Sequence, residues 1–214
     1  AENGSNNFRR DKDGNVIVVN DSIQSPADMV GKTFAIPSTQ SSHYILLLEE
    51  LQKAGLTLDD IQVTQLAPSE MPSSLASGAI DGYCVAEPFG AQAVTNGFGN
   101  VLARSDDLWK DSVCCGLIFR TDVIEQNPEA FQTFLEKYQE AGKKLDKEEA
   151  TRIAENYLGQ DAKTLETSLE WISYDDLMIT REAYNDLYEK VLSDHMIENP
   201  PTYDDFVYTT DGKE

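Results

Sequence analysis

Between Val16 and Arg104 short apolar runs alternate with amphipathic stretches, and glycine or proline stands at most of the boundaries. Strands are predicted at Val16–Val19, Thr33–Ile36, Ile61–Leu66, Tyr83–Ala86 and Val101–Arg104. Helical segments are predicted between them: one turn at Pro26–Val30, then His43–Ala54, Pro68–Ser77 and Phe89–Asn96. Gly31, Gly55, Gly78 and Gly97 close these segments as the residues that end a helix in a left-handed turn. Strand and helix in strict alternation imply a mainly parallel sheet with helices on both faces. In sheets of this kind ligands sit at the carboxyl ends of the strands. A further strand is predicted at Gly116–Arg120, and the polar residues 1–15 read as a loop or frayed start.

After residue 120 the pattern turns helical. Pro128–Leu145 carries Phe131, Phe134, Leu135 and Tyr138 on one stripe, and Thr180–Ser193 carries Tyr184, Leu187, Tyr188 and Val191. Thr121–Gln126, Glu148–Leu158 and Ala162–Trp171 read as further helices, and the tail ends in Tyr203–Phe206. These apolar stripes need a surface to pack on, and the predicted strands are too few to supply all of it.

Two sequence features fall at predicted strand ends. The first follows Ile36: Pro37, then Ser38-Thr39-Gln40-Ser41-Ser42, then the helix from His43. The first turn of a helix offers backbone N–H groups without intrahelical partners at the positive end of its dipole, and hydroxyls add donors. The competing reading is one serine as an ordinary N-cap in a plain loop. His43 has two readings as well, a donor to a ligand or a residue packed beside the helix start. A helix N-terminus favours its neutral form. The second feature is Glu87-Pro88-Phe89. Either Glu87 caps the helix that follows, or Glu87 and Phe89 line a cleft as acceptor and apolar wall. A carboxylate beside an anion repels it, so a cleft lined by Glu87 favours a ligand with a donor or positive group.

The charge balance narrows the partners. Lys and Arg number 17 against 38 Asp and Glu, a formal net charge of −21. Nucleic acid and anionic lipid both require a basic face, so neither is expected. The longest apolar run, Tyr44–Leu48, falls far short of a membrane span, and the start at Ala1 does not read as a signal peptide. Cys84, Cys114 and Cys115 are too few for a disulfide framework and lack the C-x2-C spacing of a metal site. Cys114-Cys115 reads most simply as small apolar residues at a strand start. No nucleophile elbow, Walker loop or H-E-x-x-H motif is present, so no catalytic set, cofactor or metal is expected.

Several stretches taken in order resemble one family. GKTFAIPSTQSSHYILLLEELQKAGL, APSEMPSSLASGAIDGYCVAEPFGAQAV, DLWKDSVCCGLIFRTDVIEQNPEAFQTFL, ISYDDLMITREAYNDLYEKVL and PPTYDDFV are similar to successive elements of the SsuA/TauA/NrtA-like solute-binding proteins of ABC importers, in the broader NMT1/THI5-like group. The resemblance implies an α/β fold of the periplasmic-binding-protein type II kind, with two α/β lobes around a ligand cleft and the first lobe incomplete in this chain. Residues 16–120 would form the second, ligand-binding lobe, and 121–214 a helical return segment packing on the missing first lobe. That lobe would come from the same precursor or from another chain. The implied function is capture of a small polar or anionic solute (sulfonate, taurine, nitrate, bicarbonate or similar) outside the cytoplasm, without catalysis, for delivery to a membrane ABC permease. A lipid anchor on a preceding segment is part of that expectation. The implied ligand-binding set is Ser38, Thr39, Gln40, Ser41, Ser42, His43, Glu87 and Phe89. The alternative is a THI5-like enzyme, or a binding protein for a thiamine pyrimidine precursor.

Overall fold

Five strands, β1 (Asn15–Val19), β2 (Thr33–Ile36), β3 (Gln62–Gln65), β4 (Gly82–Ala86) and β5 (Asn100–Arg104), form one sheet in the order β3-β2-β4-β1-β5. The computed structural model describes residues 14–174 and 177–208. The loop expected over 1–15 lies outside them except for Gly14 and Asn15, and Asn15 already belongs to β1.

β2 runs parallel to both neighbours, with Thr33 opposite Gln62 and Ala35 opposite Tyr83. The mainly parallel sheet needs one correction: β1 is antiparallel to β4 and to β5, with Ile17 opposite Cys84 and Ala103. Alternation and burial are the same for either direction, so the apolar run of β1 carried no sign of it. All five β1 residues are buried, and Val16–Val19 accordingly read as a continuous apolar run.

Helices cover both faces, as the alternation predicts. Ile17, Val19, Phe34, Ile36 and Cys84 face α1 (Ser42–Lys53), meeting Ile45, Leu46, Leu47 and Leu51. On the other face Val16, Val18, Ala35, Tyr83 and Val85 meet Met71 and Leu75 of α2 (Met71–Ala76) and Ala93 of α3 (Phe89–Thr95). The period of two along β1 thus divides its residues between two cores. Short α4 (Ser105–Leu108) follows β5 and delivers Trp109 into the α1 side.

The predicted strand at Gly116–Arg120 is irregular and exposed instead, with Leu117 at 52% and Ile118 at 83% exposure. A strand needs a neighbour to take its N–H and C=O groups, and none of the described strands pairs with this segment. Beyond it come α5 (Thr121–Gln126), α6 (Pro128–Lys144), α7 (Lys147–Ile153), a π-helical turn at Ala154–Leu158, α8 (Ala162–Ser168), α9 (Arg181–Ser193) and α10 (Tyr203–Phe206).

Two of the helices in 121–214 also pack on the layers of this sheet. α8 lies on α3, where Thr95 and Thr164 hydroxyls are 3.3 Å apart, and Trp171 joins the core on that face. α9 closes the opposite face: Val191 and Leu187 pack into the core, Lys190 pairs with Glu49 and lies over the Trp109 ring, and Trp109 Nε1 donates to Asp186. α6 differs. Its stripe builds an aromatic cluster in which Phe119 and Phe131 lie 4.9 Å apart and Phe131 and Tyr208 lie 4.8 Å apart. Phe119, Phe134 and Tyr208 remain exposed.

Candidate functional site

The strand order places a crevice. The chain leaves β2 through α1 to reach β3 on one side, then returns through α2 to β4 on the other side of β2. Adjacent parallel strands whose following helices leave to opposite faces open a gap at their carboxyl ends. β2 and β4 are such a pair, with α1 on one face and α3 on the other. The loops that leave this gap are 37–41 and 87–88. Both sequence-predicted segments are therefore brought to one sheet end, on neighbouring strands.

Ser38 and Ser41 shape the first loop. Gln40 donates its backbone N–H to Ser38 Oγ at 3.1 Å, and Ser41 Oγ donates to the Ser38 carbonyl at 2.7 Å. Ser41 has the extended backbone of a residue before a helix, and its carbonyl accepts from Tyr44 N–H at 3.0 Å. These two hydroxyls are engaged in the turn. The Thr39 and Ser42 hydroxyls and the Gln40 amide make no hydrogen bond to the described residues. Thr39 and Gln40 are exposed, whereas Ser42 is half-buried in the first turn of α1.

His43 is the unusual group. Both ring nitrogens are buried and neither has a hydrogen-bond partner. Burial lowers its pKa to about 4, because a charged imidazole would lose its hydration without compensation. It is neutral at neutral pH, as the helix-start argument expects, but the cause is desolvation.

Glu87 is built into the second loop by three contacts. Its N–H donates to the Gly14 carbonyl at 2.7 Å, and its two carboxylate oxygens accept the Ala91 N–H at 3.2 and 3.1 Å. The bond to Pro88 is cis. The geometry is that of the capping reading: the side chain satisfies a free N–H in the first turn of α3. Burial raises its pKa to about 7, with the Ala91 N–H pulling the other way. Phe89 packs against the second core and its carbonyl accepts the Tyr83 hydroxyl at 2.9 Å.

Two residues absent from the predicted set help to build this corner. Gly14 lies beside Glu87: a Cβ there would sit 3.7 Å from the Glu87 Cβ. A Cβ on Gly90 would fall 2.1 Å from Val16 Cγ2 and 2.5 Å from Glu87 Oε1, so only glycine lets α3 approach β1 this closely. The signal was the small-residue run Gly90-Ala91 directly after Phe89. A hollow lined by Lys147, Glu148, Thr151, Arg152 and Glu155 lies along α7 and its continuation, and shares no residue with the strand ends.

The profile of the NMT1-like family matches residues 6–159. The chain belongs to that family. A putative binding protein of Brucella abortus is 30% identical over 155 residues, which are 71% of this chain and 48% of the relative. The chain thus spans about half the length of the curated relatives it matches first. The solved ligand-binding component of an ABC-type import system from Staphylococcus aureus, with zinc bound, is 33% identical and superposes with a TM-score of 0.85. The match covers 91% of this chain and 68% of that one. The periplasmic aliphatic sulphonate binding protein SsuA of Escherichia coli, 21% identical, superposes at 0.76 over 94% of this chain and 68% of its own. The fold is therefore the α/β fold of periplasmic binding proteins, present here in part. Among the described residues no three His, Cys, Asp or Glu side chains gather to hold a metal ion.

Proposed function

We propose that this chain is the solute-gripping part of an extracytoplasmic ABC-importer binding protein. The observation that carries the reading is the β2–β4 switch point with two polar loops at its carboxyl end, in a chain that superposes on an import-system ligand-binding component along 91% of its length. Thr39, Ser42, the first N–H groups of α1 and the neutral His43 would hold the solute, with Ser38, Gln40 and Ser41 shaping the loop and Phe89 walling the crevice. Glu87 would act from beneath, by fixing the start of α3. A helix terminus supplies only about 0.3–2 kcal/mol, and micromolar affinity needs about 8 kcal/mol. Direct hydrogen bonds and exclusion of water by a closing second lobe must supply the rest. That further lobe, from the same precursor or another chain, would cover the exposed Phe119, Phe134 and Tyr208, and the third of the S. aureus protein that this chain does not match leaves room for it. The mechanism is capture, closure and delivery to a membrane permease, with no bond made or broken. A lipid on a segment upstream would hold the protein at the membrane.

The solute class is a small oxyanion, with alkanesulfonates and taurine first and nitrate and bicarbonate next. A thermal-shift panel of these compounds and pyrimidines on the native protein tests it: one class should raise stability by about 2.7 kcal/mol at a hundred times its Kd. A pyrimidine that alone stabilises, or is turned over, would install the thiamine-precursor alternative. If the native protein has the intact mass of these 214 residues and binds solute as a monomer, the further lobe is refuted.

The loop assignment has its own test. Ser42→Ala should weaken solute binding roughly five-fold, the loss of one hydrogen bond worth about 1 kcal/mol, while the melting temperature without solute stays the same. Calorimetric affinity equal to wild type would remove the loop from the site.

A further inference from the structure

Cys114 and Cys115 are consecutive residues whose sulfurs lie 3.4 Å apart without a covalent bond. In a strand, successive side chains point to opposite faces, and the sulfurs of a Cys-Cys pair diverge. Here the segment is irregular and the two sulfurs meet. Cys115 is exposed, whereas Cys114 is half-buried and its thiol donates to Asn15 Oδ1 at 3.4 Å. One sulfur of the pair is therefore open to a reagent in solution, and the other stands beside it on the protein side. The third cysteine of the chain, Cys84, is fully buried in the core beneath α1, where no dissolved reagent meets it.

We propose that Cys114 and Cys115 form a reversible redox site, which closes to a vicinal disulfide by exchange with small-molecule disulfides. The exposed Cys115 thiolate attacks one sulfur of the small disulfide, forms a mixed disulfide and releases the first small thiol. The Cys114 thiolate then attacks the Cys115 sulfur and releases the second. Two S–H bonds and one S–S bond of the reagent are exchanged for one S–S bond of the protein and two small thiols. The protein gives up two electrons, the reagent takes them, and each cysteine proton ends on a released thiol. The first step makes the second intramolecular, and that gain in effective concentration sets the pair apart from a single surface thiol.

Covalent geometry makes the closed form labile. Bridged cysteines usually hold their Cα atoms about 4.4–6.8 Å apart, but neighbours in the chain are fixed at about 3.8 Å. The ring that includes their own peptide bond is therefore strained, and a strained, exposed disulfide is readily reduced. Closure also consumes the S–H that Cys114 donates to Asn15 Oδ1, a contact that favours the reduced form. The pair is thus suited to cycling with its surroundings and unsuited to stapling the fold.

Glutathione disulfide is the probe, added to the native protein after full reduction and removal of the reductant. Tryptic cleavage after Lys110 and Arg120 isolates both cysteines on one peptide, 111–120, apart from Cys84 on peptide 54–104. Peptide 111–120 should become lighter by two hydrogens, both its thiols should be lost to alkylation, and excess monothiol should restore them without unfolding the protein. Cys114→Ser should stop at the mixed disulfide on Cys115, which should live at least about a hundred-fold longer than in wild type; an unchanged melting temperature shows that this variant folds. A mixed disulfide that persists in wild type, a link between peptides 111–120 and 54–104, a disulfide-bonded dimer, or a closed pair that monothiol reduces only after unfolding would each overturn the proposal. If the variant fails to fold, the peptide masses of the wild type still decide. None of these readings depends on the solute, so failure here leaves the transport reading untouched.

Discussion

Replacing Phe34 by alanine should lower the unfolding free energy by about 3–5 kcal/mol, the largest effect expected of any single side chain described here. Phe34 is fully buried at the centre of β2, in the core beneath α1. Its ring lies against the neighbouring strand where β4 has Gly82: a Cβ on Gly82 would fall 2.5 Å from Phe34 Cε1. The ring thus occupies space that a glycine leaves open, and its removal opens a cavity between two strands that cannot slide together without breaking their ladder. For a domain of this size the melting temperature should fall by about 10 °C. Urea unfolding gives the magnitude. A loss below about 1 kcal/mol would mean that the strands collapse into the gap, and would contradict the close packing described for β2 and β4. A coupled experiment locates the cause. Gly82→Ala should be costly in the wild-type protein and less so beside Phe34→Ala, because the new methyl then meets empty space; the two changes should be non-additive by about 1 kcal/mol or more.

The same pair of residues shows what the sequence could carry. β2 was legible because Gly31 and Pro37 frame it and because Phe34-Ala35-Ile36 is apolar between β-branched Thr33 and Ile36. α1 was legible from the dense apolar run after His43, and β4 from its position between Gly82 and Glu87-Pro88. These are local signals, and the observed bounds lie within a residue of the predicted ones. The direction of β1 was not local. It depends on which strand edge is open when β1 docks, and no period encodes that. Gly116–Arg120 failed for the mirror reason: its residues suit a strand, but a strand exists only where a neighbour takes its hydrogen bonds. The division of the return helices was hidden too. The stripe of α9 ends on Trp109 and α1, whereas that of α6 ends on its own aromatic neighbours, and both read alike as amphipathic sequence.

At the candidate site the sequence placed both loops at one sheet end and left their side chains undecided. Strand ends at a switch in topology can be read from element order, so 38–42 and 87–89 were found together. Whether Ser41 offers its hydroxyl outward or to the Ser38 carbonyl depends on a turn closed three residues away. Whether Glu87 faces a cleft or the first turn of α3 depends on how near Gly90 lets that helix come to Val16. Such choices are made by contacts between elements.

Glu87 and His43 should give the protein a stability profile with opposed titrations. Burial raises the Glu87 pKa from 4.5 to about 7. The folded state therefore keeps a proton that the unfolded state releases between those values, and stability falls as pH rises through that window. At 1.36 kcal/mol per unit the loss approaches about 3 kcal/mol by pH 8, in order of magnitude. His43 acts in the other sense. Its pKa falls from 6.5 to about 4 through burial, so the unfolded state binds a proton that the folded state refuses, and stability falls as pH drops through that range. Between pH 4.5 and 6.5 the two slopes nearly cancel. Glu87→Gln removes one of them: the amide oxygen can still accept the Ala91 N–H, but nothing ionises. The variant should match wild type near pH 4, gain steadily from pH 4.5 to 7, and exceed it by up to about 3 kcal/mol at pH 8. Chemical denaturation at each pH measures the difference, in which groups common to both proteins cancel. The nearby Tyr83 hydroxyl, itself pushed upward by burial and by Glu87, titrates well above this range and drops out. A difference that stays flat from pH 4 to 8 would mean that water reaches the Glu87 carboxylate as freely as in the unfolded chain. It would also contradict the closed corner between Gly14, Gly90 and α3.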